Sequence, residues 1–133
     1  IFPAYRYGGG IAYRGPLSWN KTNSDYLTSK GLNRTNSHTS RARWVAMFGP
    51  TEKDGDKTAT VAILCHPKNH DAPQHIRTWD NGKVFFNYVP IQETAWSINP
   101  GETVTLRYRL VILDGQVGAK TLEARWKTYT KQN

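Results

Sequence analysis

The chain has 133 residues and a formal net charge of +8, about one domain's worth, so a second domain is not expected. No stretch reaches the ~18 apolar residues of a helical membrane span, and the single cysteine, Cys65, excludes an internal disulfide or a multi-cysteine metal site. The basic residues are scattered singly, which argues against a dedicated nucleic-acid surface, and seven Tyr, five Trp and four Phe punctuated by Gly and Pro predict a mostly β chain.

Residues 1–16 alternate aromatic and small residues, with Tyr5 and Tyr7, then Ile11 and Tyr13, predicting two short strands around Gly8-Gly9-Gly10. From Leu17 to Ser40 the composition is polar and reads as a long surface excursion anchored by Trp19, Tyr26 and Leu27. Arg41 to Phe48 is a strand with Trp44, Ala46 and Phe48 on one face and Arg43, Val45 and Met47 on the other. Gly49-Pro50 stops it, Glu52 to Asp56 supplies a turn, and residues 57–65 return as the second arm of a hairpin. Asn81-Gly82 marks another turn before a strand over 83–89, and a short strand is expected over 94–98. Residues 103–113 give the clearest period-two pattern, with Val104, Leu106, Tyr108, Leu110 and Ile112 on one face. After Gly118, Leu122, Trp126 and Tyr129 fall at helical spacing, which predicts one C-terminal helix.

The hairpin delivers the chain to His66, and the next fifteen positions, His66 to Asp80, hold three of the four histidines, Arg77, two aspartates and two prolines. The prolines keep this segment out of a sheet interior, so it reads as a rigid loop at a strand end. One reading makes it a sugar site. His66 and His75 then act as general acid and base, Arg77 grips a carboxylate or hydroxyl pair, and Trp44 or Trp79 offers a ring face. Arg43, Asn69 and Asp80 complete the expected binding set, with Asp71, Asp80 and Glu93 as candidate carboxylate partners. A metal reading takes His66, His70 and His75 as ligands, but a proline-containing loop does not place such spacings on one face, and neither metal nor cofactor is expected. A third reading is structural: His66 and His75 cap strand ends, Arg77 pairs with a sheet-edge carboxylate and His70 is solvated. Pairing of the hairpin arms brings Arg41 or Arg43 within reach of His66. Cys65 is expected to be a small buried hydrophobe, and Trp96, Trp126 and Tyr129 to pack the core.

Taken in order, Tyr7-Gly8-Gly9, Arg14, Ser18-Trp19, Ser40 to Val45, His66-Pro67-Lys68-Asn69, Pro73, His75-Ile76-Arg77, Asn99 to Glu102, and Leu106 to Arg109 with Asp114-Gly115 resemble the bacterial proteins labelled "PmoA family". The resemblance spans nearly the whole chain and is similar to the C-terminal half of those proteins. It implies an antiparallel β-sandwich, half of a galactose-mutarotase-like supersandwich, whose sheet is completed by an N-terminal half or a second chain. It further implies a periplasmic or secreted protein of carbohydrate metabolism, without nucleic-acid or membrane partners. Methane oxidation, which the label suggests, would need membrane helices that this sequence lacks. Ala46 stands where the pattern leads one to expect an acid, and Gln74 where an aromatic is common. The expectation is therefore a carbohydrate-directed protein, epimerase- or lyase-like, with a non-catalytic structural or interaction domain as the alternative.

Overall fold

The Arg41–Cys65 hairpin forms the spine of the molecule. In the computed structural model, which describes residues 1–51 and 56–132, its arms are β3 (Trp44–Pro50) and β4 (Thr58–Cys65). The turn expected at Glu52 to Gly55 lies outside the described residues. Ahead of the hairpin come β1 (Ala12–Arg14) and β2 (Asp25–Thr28); after it come β5 (Ile76–Arg77), β6 (Phe85–Tyr88), β7 (Tyr108–Asp114) and the helix α1 (Ala119–Thr130). All pairings are antiparallel, in a four-stranded sheet of order β2-β3-β4-β7 and a three-stranded sheet of order β1-β6-β5. The chain is thus mostly β, with two sheets and one C-terminal helix, as its composition and periodicity predict.

Both faces of β3 and β4 are buried because each is covered by a different layer. Val45, Met47, Ile63 and Cys65 face the smaller sheet and pack with Ile76, Phe86 and Tyr88, joined by Trp19 and Tyr26. Trp44, Ala46, Ala62 and Leu64 face the other way and pack under Leu122 and Tyr129, with Trp126 at the margin. The register sets Val45 opposite Ile63 and Trp44 opposite Leu64, so each facing pair belongs to one core. Each large apolar side chain so buried contributes roughly 1.5–3 kcal/mol. The helix has no side-chain N-cap and no acid in its first turn, so packing of Leu122, Trp126 and Tyr129, rather than local signals, holds it in place.

Several elements differ from the sequence expectation. Tyr5 and Tyr7 form no strand; the first ten residues instead strap across the smaller sheet, with Phe2 bridging Trp96 and the Tyr5 amide donating to the Ile91 carbonyl at 2.8 Å. The same bridge is what remains of the strand expected over 94–98. Gly10 has a steric reason there, because a Cβ would fall 2.1 Å from the Tyr88 carbonyl oxygen. The polar stretch 17–40 is not wholly superficial: β2 pairs with β3, and Arg34 and Ser37 are buried. Arg34 donates to the carbonyls of Trp79 and Ser24 and lies over the Tyr26 ring, so hydrogen bonding lets a polar segment enter the core. The long C-terminal strand begins at Tyr108 rather than 103 and is a sheet edge. Its Leu110 and Ile112 are 50% and 69% exposed, because the smaller sheet ends short of them.

Candidate functional site

Strand β5 lies inside the His66–Asp80 segment, at the edge of the smaller sheet, with both prolines outside it. Ile76 turns into the core between the sheets, so alternation sends His75 and Arg77 to the opposite, outer face. In register, Arg77 sits opposite Asn87 on β6. The N-terminal strap covers this face, leaving His75 8%, Arg77 7% and Asn87 5% exposed.

His75 stands between two carboxylates. Asp71 Oδ2 is 3.9 Å from its Nδ1 and Glu93 Oε2 is 3.4 Å from its Nε2. Arg41 fixes the first of these, pairing with Asp71 Oδ1 at 3.1 Å and donating to the carbonyls of Asp71 and Pro73 at 2.9 Å each. Arg41 also forms a backbone bridge with His75. Two non-glycine residues with left-handed backbone flank this arrangement, Asp71 at φ +58° and Thr39 at φ +63°. Aspartate tolerates that region, but a β-branched threonine is strained there, and the Thr39 amide is committed to the Ile76 carbonyl at 3.0 Å. The pKa of His75 lies below the ordinary histidine value: burial lowers it and Arg41 adds to the effect, together outweighing the upward pull of Glu93 and Asp71. The ring is therefore neutral at neutral pH, able to accept a proton.

Arg77 has a different environment. Its guanidinium lies between two rings, 4.2 Å from the Tyr7 centroid and 4.0 Å from that of Trp79. Nη2 donates to the Tyr7 hydroxyl at 3.3 Å. No carboxylate among the described residues lies within ion-pair distance of it. Lys83 sits 4.0 Å from the Trp79 centroid, so the same ring faces two cations. Buried polar atoms without a protein partner gather on and beside β5: Arg77 Nε, Trp79 Nε1, Asn87 Oδ1, and Oε1 of Gln92, whose Nε2 donates to the Ile76 carbonyl. Asp80 is exposed, and its charge acts on His38, whose pKa is lowered by burial and by Arg77 and raised in smaller part by Asp80.

The His66 end of the segment is built for another purpose. His66 is buried; its Nδ1 accepts from the Lys68 amide at 3.1 Å, which leaves Nε2–H to donate to the Gln132 carbonyl at 3.2 Å. Asn69 exchanges two hydrogen bonds with the Arg107 backbone, at 2.6 and 2.7 Å, and so extends the β7 edge as a strand residue would. Trp44 is 1% exposed beneath α1, where its Nε1 and the Arg43 guanidinium both donate to Glu123. Burial works to raise the Glu123 pKa, but these hydrogen bonds and the Arg43 charge lower it overall. His66, Asn69, Arg43 and Trp44 are thus not brought onto the His75–Arg77 face, and Trp44 offers no free ring face to a ligand. His70 stacks on Trp96 at 4.0 Å, so the three loop histidines face three different environments. Among the described residues, no group of three or more His, Cys, Asp or Glu can hold a metal ion.

The two departures from the resemblance also resolve sterically. Ala46 lies in the core under α1, where an acid would have no water. Gln74 is buried, donates to the His70 carbonyl at 2.7 Å and accepts from the Tyr108 hydroxyl at 2.6 Å, so it ties the loop to β7. Sequence reading missed Tyr7, Lys83, Asn87 and Gln92. Asn87 carried a usable signal: a lone amide in the otherwise aromatic run Phe85-Phe86-Asn87-Tyr88 must find or await a partner.

Fold and site together define a two-sheet β protein that carries a histidine between carboxylates and an aromatic-flanked arginine on the outer face of its smaller sheet. The chain belongs to a family of unknown function, DUF6807, whose model matches residues 1–127. Comparison with curated proteins and with solved structures found no match.

Proposed function

We propose that the outer face of the smaller sheet is a carbohydrate-directed site, with His75 as the acid–base group and Arg77 and Trp79 as the binding groups. The observation that carries this reading is the arrangement along β5, where a neutral imidazole with a carboxylate near each nitrogen lies next but one to an arginine held between rings. The charge of Asp71, anchored by Arg41 and 3.9 Å from Nδ1, favours the tautomer with its proton on Nδ1; Glu93, on an exposed loop, yields Nε2 to a substrate hydroxyl or ring carbon. Proton abstraction at Nε2 suits the epimerase- or lyase-type chemistry that the resemblance to the PmoA-labelled proteins implies. Buried donors and acceptors without a protein partner at Arg77, Trp79 and Asn87 suit the hydroxyl rim of a sugar. A thermal-shift panel of neutral and acidic monosaccharides on wild type and His75→Gln tests it. Binding in both is expected, with exchange of a sugar carbon-bound proton for deuterium in deuterated water seen by NMR in wild type and lost in His75→Gln; a panel without any shift would sink the reading.

A second reading, that of an interaction domain, rests on β7. This edge strand leaves Leu110 and Ile112 uncovered on the face that elsewhere forms the inter-sheet core, which suits a partner adding a strand there. Sedimentation of wild type and Ile112→Lys checks one occupant, a second copy of this chain. Association that disappears in the variant is expected, and a monomer at every concentration removes that occupant.

A further inference from the structure

We infer that the saccharide recognised at the outer face carries a carboxylate, as a uronic acid does, and that Arg77 is the residue that takes it. This inference rests on the carbohydrate reading and narrows it to a substrate class. Its basis is a charge left uncompensated in a buried place. Arg41 and Arg43 each meet a carboxylate, and buried Arg34 is satisfied by carbonyls and the Ser24 hydroxyl. Arg77 is as buried as Arg34 but among the described residues has only the Tyr7 hydroxyl as a hydrogen-bond partner, and its Nε, like that of Arg43, has none. Burying a guanidinium without a counter-charge is costly, and the two flanking rings offset part of that cost only.

The surroundings add charge of the same sign. Arg6 lies 5.2 Å from the Tyr7 centroid and Lys83 lies 4.0 Å from the Trp79 centroid, so three cations share two rings. Among the described residues no carboxylate pairs with any of the three. A planar carboxylate matches the guanidinium fork in two parallel hydrogen bonds, a geometry that a lone hydroxyl cannot reproduce. Asn87 Oδ1 and Trp79 Nε1 then serve neighbouring sugar hydroxyls, one as acceptor and one as donor.

The two ends of the face differ in charge. At His75 the carboxylates of Asp71 and Glu93 are set against Arg41 and Lys30, whereas around Arg77 the cations Arg6 and Lys83 meet no carboxylate among the described residues. A sugar acid therefore binds in one direction, with its carboxylate at Arg77 and its hydroxyl-bearing carbons at His75.

The test is calorimetric titration of the full chain with glucose, galactose, glucuronate, galacturonate and acetate, on wild type, Arg77→Gln and Arg77→Lys, with circular dichroism confirming the fold. Uronates are expected to bind at least about tenfold more tightly than the matching neutral sugars, a preference that Arg77→Gln abolishes and Arg77→Lys weakens. Equal affinity for acidic and neutral sugars overturns the carboxylate inference and leaves the carbohydrate reading standing. Acetate binding as tightly as uronate overturns it as well, as does a uronate preference that persists in both variants. Binding of no sugar of either kind overturns the inference together with the reading on which it rests.

Discussion

The two ends of the His66–Asp80 segment each carry a buried histidine and set it in different surroundings. At the first end the buried polar groups are spent on the protein: His66 engages both ring nitrogens, and Asn69 bonds the Arg107 backbone. At the second end Arg77 and Trp79, with Asn87 of the neighbouring β6, each keep a buried atom without a partner among the described residues. Hydrogen-bond saturation thus separates His66 and Asn69 from Arg77, Trp79 and Asn87. The physical basis is that an unsatisfied buried polar group costs about 1–3 kcal/mol, which a fold tolerates only where something else recovers it.

This contrast is broken most directly by truncating Asn69. Asn69→Ala removes two hydrogen bonds and strands the Arg107 N–H, while the Arg107 carbonyl keeps the His66 amide, and is expected to destabilise the chain by about 2–4 kcal/mol, read from urea unfolding. His66→Ala should follow at about 1–3 kcal/mol, through two lost hydrogen bonds and the edge contact with Tyr129, while leaving any sugar binding unchanged. Arg77→Gln, at the other end, is expected to change stability by less than about 1 kcal/mol, since the lost cation–π contacts are offset by relief of an unpaired buried charge. A loss as large as that of Asn69→Ala would show that Arg77 is structural and erase the distinction.

The smallest expected effect concerns pH. The His75 pKa is lower in the folded chain than the ordinary value of 6.5, so below 6.5 the unfolded chain binds more protons. Stability is then fully present above that value and falls as pH drops toward the folded pKa. His75→Gln should flatten part of this acid limb when urea midpoints are compared at about pH 5 and about pH 7.5. An unchanged limb would mean that His75 does not titrate abnormally.

Much of the scaffold was legible from local pattern. The β3–β4 hairpin followed from alternation, although Gly49 and Pro50, expected to stop the strand, lie inside β3, and α1 followed from the spacing of Leu122, Trp126 and Tyr129. The strand β2 was hidden because its polar residues, Asp25 and Thr28, bond to nearby loops and so read as loop themselves. Within the candidate site, His75, Arg77 and Trp79 were found as residue types in a proline-bounded loop. Tyr7 was not, since it reaches Arg77 from seventy positions away through the strap.

What the sequence determined by itself is therefore the β class, the hairpin spine and the terminal helix, all of which depend on periodicity and turn residues within a few positions. Only the tertiary structure decided that His66 bonds to the protein through both ring nitrogens while His75 stands between two carboxylates. That choice depends on long-range partners, Gln132 and Arg107 for one end and Tyr7, Asn87 and Glu93 for the other, and no local pattern encodes them.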